Sequence, residues 1–254
     1  MYYPNVSLNP YQCTDFTNRT MFSLIYQGLF SVDSGYNATP ILCGKYYVSV
    51  CCQLEQGLPK LPLSTAYVGL DMGIKSFAVS SDGIKWPNHK YLHQSEKKLK
   101  RLMQQLSRKT KGSCNWEKAR IRIAQCYEHI ANQRRDMQQK LSTDIIRQYN
   151  VICIENLASS NLIQNHKMAK SISDAAWGEF HRQLRYKAAW YGRKLITVDR
   201  FYASSQICSV CGAKWGGAKN LSVRKWSCPC CQSILDRDYN AAINILREGL
   251  LQAA

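Results

Sequence analysis

Ala66-Tyr-Val-Gly-Leu-Asp71-Met-Gly73, followed by Ile74-Lys-Ser-Phe-Ala-Val-Ser-Ser81 and Asp82-Gly83, decides the fold. Two apolar runs of strand length flank a Met72-Gly73 turn, so the stretch reads as a β-hairpin with Asp71 closing its first strand. Further on, Val151-Ile-Cys-Ile-Glu155 is wholly apolar until its final carboxylate, which is what a sheet covered on both faces requires. Lys194-Leu-Ile-Thr-Val-Asp199 is a further strand. Between these two, a helix is expected from about Ser171 to Gly192, with Ala175, Ala176, Phe180, Leu184 and Ala188 on its core side. Strands alternating with helices give an α/β class.

Around this centre the chain adds three parts. Residues from Gln94 to about Tyr149 are helical with a break at Thr110 to Ser113, a helical hairpin inserted between strands. Its first helix carries Lys97, Lys98, Lys100, Arg101, Arg108 and Lys109 beside an apolar stripe of Leu99, Leu102, Met103 and Leu106. At the other end, Asp238 starts a last helix, Tyr239 to Leu250, whose Ala241 and Ala242 permit close packing. Towards the N-terminus, Gly57, Pro59 and Pro62 mark a linker and a domain boundary near residue 62. Lys45-Tyr-Tyr-Val-Ser-Val-Cys-Cys is the first clear strand, and residues 1–42 show no sustained period.

The twelve cysteines sort by spacing. Cys208-Ser-Val-Cys211 and Cys228-Pro-Cys-Cys231 form two Cys-x-x-Cys turns either side of a basic loop, the ligand pattern of a zinc ribbon over residues 201–235. Cys230 competes with Cys231, but a single residue separates it from Cys228, which favours Cys231. The start Met1-Tyr-Tyr-Pro-Asn lacks a charged opening and an apolar run, so a reducing compartment is expected and the other cysteines read as thiols.

The formal net charge is +17. Residues 1–60 balance Arg19, Lys45 and Lys60 against Asp15, Asp33 and Glu55, so the excess lies downstream. Such a field favours a polyanion, with nucleic acid ahead of a membrane because no lipidation signal or long apolar segment is present.

Three acids occupy comparable places: Asp71 and Glu155 at strand ends and Asp238 at the start of the last helix. Read singly, each has a structural alternative: Asp71 closes a turn, Glu155 pairs with a base, Asp238 caps its helix. Gathered at the carboxyl ends of strands they repel one another unless cations neutralise them. Two magnesium or manganese ions would do so and support phosphodiester cleavage. Asp199 and Asp236 are the spurious candidates, with Asp236 expected to form an ion pair or orient the site.

Four ordered motifs carry a family resemblance: Gly69-Leu-Asp71-Met-Gly-Ile-Lys-Ser-Phe-Ala-Val, Ile154-Glu155-Asn-Leu, Asp199-Arg-Phe-Tyr-Ala-Ser-Ser-Gln-Ile-Cys208, and Asp236-Arg-Asp238-Tyr-Asn-Ala-Ala-Ile-Asn-Ile. Together they resemble the TnpB (OrfB) family of transposon-encoded proteins, whose relatives include type V CRISPR effector nucleases, over roughly residues 44–250. The resemblance implies a RuvC-like nuclease domain of RNase H fold over 63–200 and 236–254, with the helical insertion and the zinc ribbon set into it. Its acids fall on Asp71, Glu155 and Asp238, and its zinc ligands on Cys208, Cys211, Cys228 and Cys231. It further implies an RNA-guided DNA endonuclease, also described as a transposase, with DNA and a guide RNA as partners at the cytoplasmic nucleoid. Lys97, Lys98, Arg101, Arg108, Lys109, Arg224 and Lys225 would hold phosphates. Family members carry a longer N-terminal part, so residues 1–62 read as a shortened, partly β-rich remnant. The alternatives of another class are a non-catalytic nucleic-acid-binding module and an inactive element remnant.

Overall fold

The computed structural model describes residues 60–253 apart from 158 and 221, together with the backbone of three strands before them. Those strands are β1 (Arg19–Tyr26), β2 (Asn37–Pro40) and β3 (Tyr46–Gln53), and they form an antiparallel sheet in the order β1-β3-β2. β3 is the strand expected from the sequence. β1 and β2 lie where no period was legible. The remaining residues before 60 fall outside the described ones.

The chain divides into two compact units, residues 1–58 with 91–137, and 59–90 with 138–254. The first contains the three-stranded sheet and a helical hairpin. The hairpin is α1 (Tyr91–Ser107) and the start of α2 (Cys114–Gln148), with the break where Gly112 takes a left-handed φ of 82°. Leu99 of α1 is buried against Cys126 and Ile130 of α2, with Tyr91, Leu92 and Leu102 packed around them. Met103 departs from the expected stripe and is 45% exposed. Lys97, Lys98, Arg101, Arg108 and Lys109 are all exposed.

The second unit is built on five strands: β4 (Tyr67–Met72), β5 (Ser76–Ser80), β6 (Lys85–Pro87), β7 (Val151–Glu155) and β8 (Lys194–Val198), in the order β6-β5-β4-β7-β8. β4 pairs antiparallel with β5, as the hairpin reading requires, and parallel with β7, which pairs parallel with β8. The middle of β7 is fully buried at Ile152, Cys153 and Ile154, as expected of a covered strand. Phe77 of β5 meets Phe180 edge to face at 5.0 Å. β6, three residues long, was not legible in the sequence.

After β7 come α3 (Ser159–Ile163), α4 (His166–Ala175) and α5 (Trp177–Tyr191), where one helix from Ser171 was expected. The chain breaks at Ala176, whose φ of 50° and ψ of 47° are left-handed. Nothing in the local sequence signals this, since alanine is a helix former. The cause is tertiary: the buried Gln138 amide donates to the Ala175 carbonyl at 2.9 Å, the group a continuous helix would bond to the Glu179 amide, which turns instead to the Ala176 carbonyl at 3.1 Å. The expected core side is otherwise in place, with Ala175, Phe180, Leu184 and Ala188 buried.

Strands β9 (Lys225–Ser227) and β10 (Ile234–Asp236) form an antiparallel pair, and β10 runs directly into α6 (Arg237–Leu251). The helix starts with Asp236 as its N-cap, the carboxylate accepting from the Tyr239 amide at 3.1 Å. The capping alternative for Asp238 is thereby corrected: Asp238 sits inside the first turn and its carboxylate is free of that duty.

Candidate active site and metal centre

Parallel pairing fixes the first two acids. Leu70 is in register with Ile154, so Asp71 and Glu155 follow as neighbours at the carboxyl ends of adjacent strands, with side chains on one sheet face. Gly69 and Cys153 share that face, two residues earlier on each strand. A Cβ on Gly69 would lie 2.2 Å from the Ala242 carbonyl and 2.6 Å from the Leu246 nitrogen, and one on Gly249 would lie 2.4 Å from Cys153 Sγ. Helix α6 therefore lies directly on this face, helped by buried Ala241 and Ala242. Asp238, one turn before Ala242, is carried to the end of the sheet where Asp71 stands.

The electrostatics record the convergence. The Asp71 carboxyl is pushed well above its ordinary value, first by burial and then by repulsion from Glu155 and Asp238, with Arg237 and Arg224 opposing. Glu155 is also raised by burial, and the hydroxyl of Ser204 donates to its Oε1 and works against that rise. Two cations already attend the cluster. Arg224 Nη1 lies 3.4 Å from Asp238 Oδ1, and buried Arg237 is fixed by donating to the Asn220 carbonyl at 3.0 Å. Partly buried carboxylates with unfavourable mutual repulsion fit a hard divalent cation with oxygen ligands.

Both spurious candidates are occupied elsewhere. Exposed Asp199 accepts from the Phe201 amide at 2.7 Å, which closes a turn. Asp236 caps α6 and receives Lys85 Nζ at 2.8 Å, so the ion pair expected of it forms with Lys85 rather than with its neighbour Arg237.

The four cysteine sulfurs of Cys208, Cys211, Cys228 and Cys231 all lie within 4.8 Å of one another. Each Cys-x-x-Cys turn is built alike. Gly212 N–H donates to Cys208 O and Gln232 N–H to Cys228 O, both at 2.9 Å, and Gly212 and Gln232 take left-handed φ of 77° and 59°. Cys208 to Cys231 and Cys211 to Cys228 are each 3.6 Å apart. A tetrahedral Zn–S distance of about 2.3 Å requires sulfurs roughly 3.8 Å apart, so the set fits such an ion. Cys230 is exposed and stands outside the cluster. The core here is small: Cys208, Trp226, Cys228 and Leu235, with Trp215 stacked on Trp226 at 5.1 Å.

Two family models match in tandem. OrfB_IS605, described as a probable transposase, matches residues 49–166, which carry Asp71 and Glu155. The Cas12f1-like TNB domain matches 177–245, which carries the four cysteines and Asp238. The chain belongs to the TnpB (OrfB) family. A Streptomyces pristinaespiralis protein named as an RNA-guided DNA endonuclease is 42% identical over 211 residues, 83% of this chain and 52% of that protein. Escherichia coli K12 InsQ, named for the same activity, is 36% identical over 222 residues, 82% of this chain and 54% of its own. The chain thus spans about half the length of the curated relatives it matches. Among solved structures, a Cas12f1 complex with sgRNA and target DNA matches with TM-score 0.53 and 16% identity over 88% of this chain and 55% of the other. A Cas12f ternary complex matches at 0.56 and 18%, over 89% and 45%. Both show a shared mixed α/β fold.

Sequence reasoning missed the residues that hold the site together. Ser204 bonds Glu155, while Asn240 and Asn244 of α6 bond the chain entering the first cysteine turn. The only signal was their presence inside the quoted motifs, where an asparagine on a helix gives no hint of its partner.

Proposed function

We propose that the chain is an RNA-guided DNA endonuclease that hydrolyses phosphodiester bonds at Asp71, Glu155 and Asp238. The observation that carries this is Asp71, flanked by two carboxylates that raise it further, at the carboxyl end of the central strand. The strand order β6-β5-β4-β7-β8, with β5 and β6 antiparallel and β7 and β8 parallel to β4 or its neighbour, supports an RNase H-like (RuvC) domain over 63–200 and 236–254. Asp71, Glu155 and Asp238 would hold two magnesium or manganese ions, which supply charge neutralisation and an activated water.

The chain's own residues then have separable duties. Asp71 is carried by the central strand of the sheet. Glu155 is tied to Ser204 at one oxygen. Asp238 shares its charge with Arg224, which is exposed enough to turn towards a phosphate once that carboxylate is otherwise engaged. Cys208, Cys211, Cys228 and Cys231 would hold a structural zinc ion, making residues 201–235 a ribbon beside the acids. Exposed Lys97, Lys98, Arg101, Arg108 and Lys109, with Lys225 on β9, would hold nucleic-acid backbone by charge, giving affinity that falls steeply with salt. None of the described helices is long and apolar enough to cross a membrane, and the site of action we assign is the nucleoid.

The test is to purify the full chain with its bound RNA, sequence that RNA, and supply double-stranded DNA that matches it or does not. Cleavage restricted to matching DNA and abolished by ribonuclease treatment supports the reading. Cleavage indifferent to both would leave a nuclease without a guide.

A further inference from the structure

One contact of the site lies outside the three acids. Ser204 is buried, with 6% of its surface exposed, in a short 3-10 turn between β8 and the first cysteine turn. Its hydroxyl donates to Oε1 of Glu155. Among the described residues it is the side chain that hydrogen-bonds this carboxylate. A carboxylate at a strand end otherwise has free rotation about its last bonds, and an oxygen fixed by a donor leaves the other oxygen in one defined orientation.

Ser204 is itself held through its backbone. Asn244 Nδ2 donates to the Ser204 carbonyl at 2.8 Å and to the Ile207 carbonyl at 2.7 Å, and Asn240 Nδ2 donates to the same Ile207 carbonyl at 2.7 Å. Asn240 Oδ1 accepts from the Ser209 amide at 2.8 Å. Both asparagines are buried, and both lie on α6, the helix whose first turn carries Asp238. One rigid element therefore presents Asp238 directly and sets Glu155 indirectly, through Ser204.

We propose that Ser204 is a positioning residue for Glu155, locking its carboxylate for a divalent cation at the three-acid site, and that Asn244 holds Ser204 in place from α6. This rests on the nuclease reading above. The hydroxyl is the working group, so Ser204→Thr, which retains it, preserves function while Ser204→Ala does not.

The experiment is Mn²⁺ binding to the full chain followed by electron paramagnetic resonance, with zinc content and thermal midpoint measured on every variant. Wild type and Asp71→Ala test the underlying reading: wild type binds Mn²⁺ and Asp71→Ala does not. Ser204→Ala is expected to weaken Mn²⁺ by about tenfold or more, with zinc content and midpoint unchanged, and Ser204→Thr to stay within about threefold of wild type. Cleavage by Ser204→Ala should recover as Mn²⁺ is raised, whereas Asp71→Ala should not recover. Asn244→Ala should reproduce the Ser204→Ala weakening in part. Mn²⁺ affinity of Ser204→Ala equal to wild type would overturn the proposal while leaving the nuclease reading intact, as would equal weakening in Ser204→Ala and Ser204→Thr. A wild type that binds no Mn²⁺ at the acids would overturn both.

Discussion

The three-acid site and the cysteine ribbon meet along α6, yet they are held by opposite means. The acids come from two strands and a helix far apart in sequence, and they converge because a large sheet core stands beneath them: Val68, Leu70, Ile152, Ile154 and Ile245 are all buried to 2% or less. The four cysteines come from two short turns, and their own apolar core is four residues with a few neighbours. The acid site is thus preformed by packing. The ribbon would depend on the ion proposed for its cysteines, because so small a core cannot offset the entropy of ordering its loops.

The largest effect that should separate them is metal removal. Chelation, or Cys211→Ser, should forfeit zinc binding worth on the order of 10 kcal/mol and melt residues 201–235, while amides of β4 and β7 stay protected in hydrogen exchange. Loss of protection in β4 on the same timescale would show that the sheet leans on the ribbon.

The converse break is Gly69→Val. Its side chain would enter the backbone of α6, 2.2 Å from the Ala242 carbonyl before relaxation. It should cost about 3 kcal/mol or more and show as a lower urea midpoint, with zinc still bound by the cysteines. A neutral Gly69→Val would mean that α6 does not sit on this face.

A pH contrast follows from Lys187. Its ammonium is buried in the sheet unit against Gln139 O, Ser142 Oγ and Thr143 Oγ1, at 2.7 to 2.8 Å, with Asp144 favouring and Arg147 opposing its charge. Burial is the largest influence and brings it down to about 7. The unfolded chain then binds the extra proton above that value, so stability rises with pH from about 7 towards the ordinary lysine range, by at most about 1.4 kcal/mol per pH unit. Thermal midpoints of wild type minus Lys187→Met should climb across that window. A flat difference would show that Lys187 stays charged.

The smallest effect is Ala176→Gly, which should stabilise the sheet unit by about 1 kcal/mol by relieving a left-handed alanine. Destabilisation would mean that the α4–α5 break relaxes into a continuous helix.

The same contrast explains what could be read from sequence. The cysteine turns are local, and two Cys-x-x-Cys spacings name their ligands without any knowledge of the fold, including the choice of Cys231 over Cys230. Asp71 and Glu155 were legible because each ends an apolar strand. That they are neighbours needed the β4–β7 register, and Asp238 needed the contact between Gly69 and α6. Ala176, Ser204 and the two asparagines were not legible, because each owes its role to a partner distant in sequence: Gln138, Glu155, and the carbonyl of Ile207. β6 was too short to show a period.

The most direct measurement is cleavage of labelled single- and double-stranded DNA, in magnesium and in manganese, by the full chain with its co-purifying RNA and by Asp238→Ala. Metal-dependent cleavage that falls at least about a hundredfold in the variant, with zinc content and thermal midpoint unchanged, is the expected result. Cleavage equal in both proteins, or none from a folded and zinc-loaded wild type, would contradict a catalytic centre at Asp71, Glu155 and Asp238.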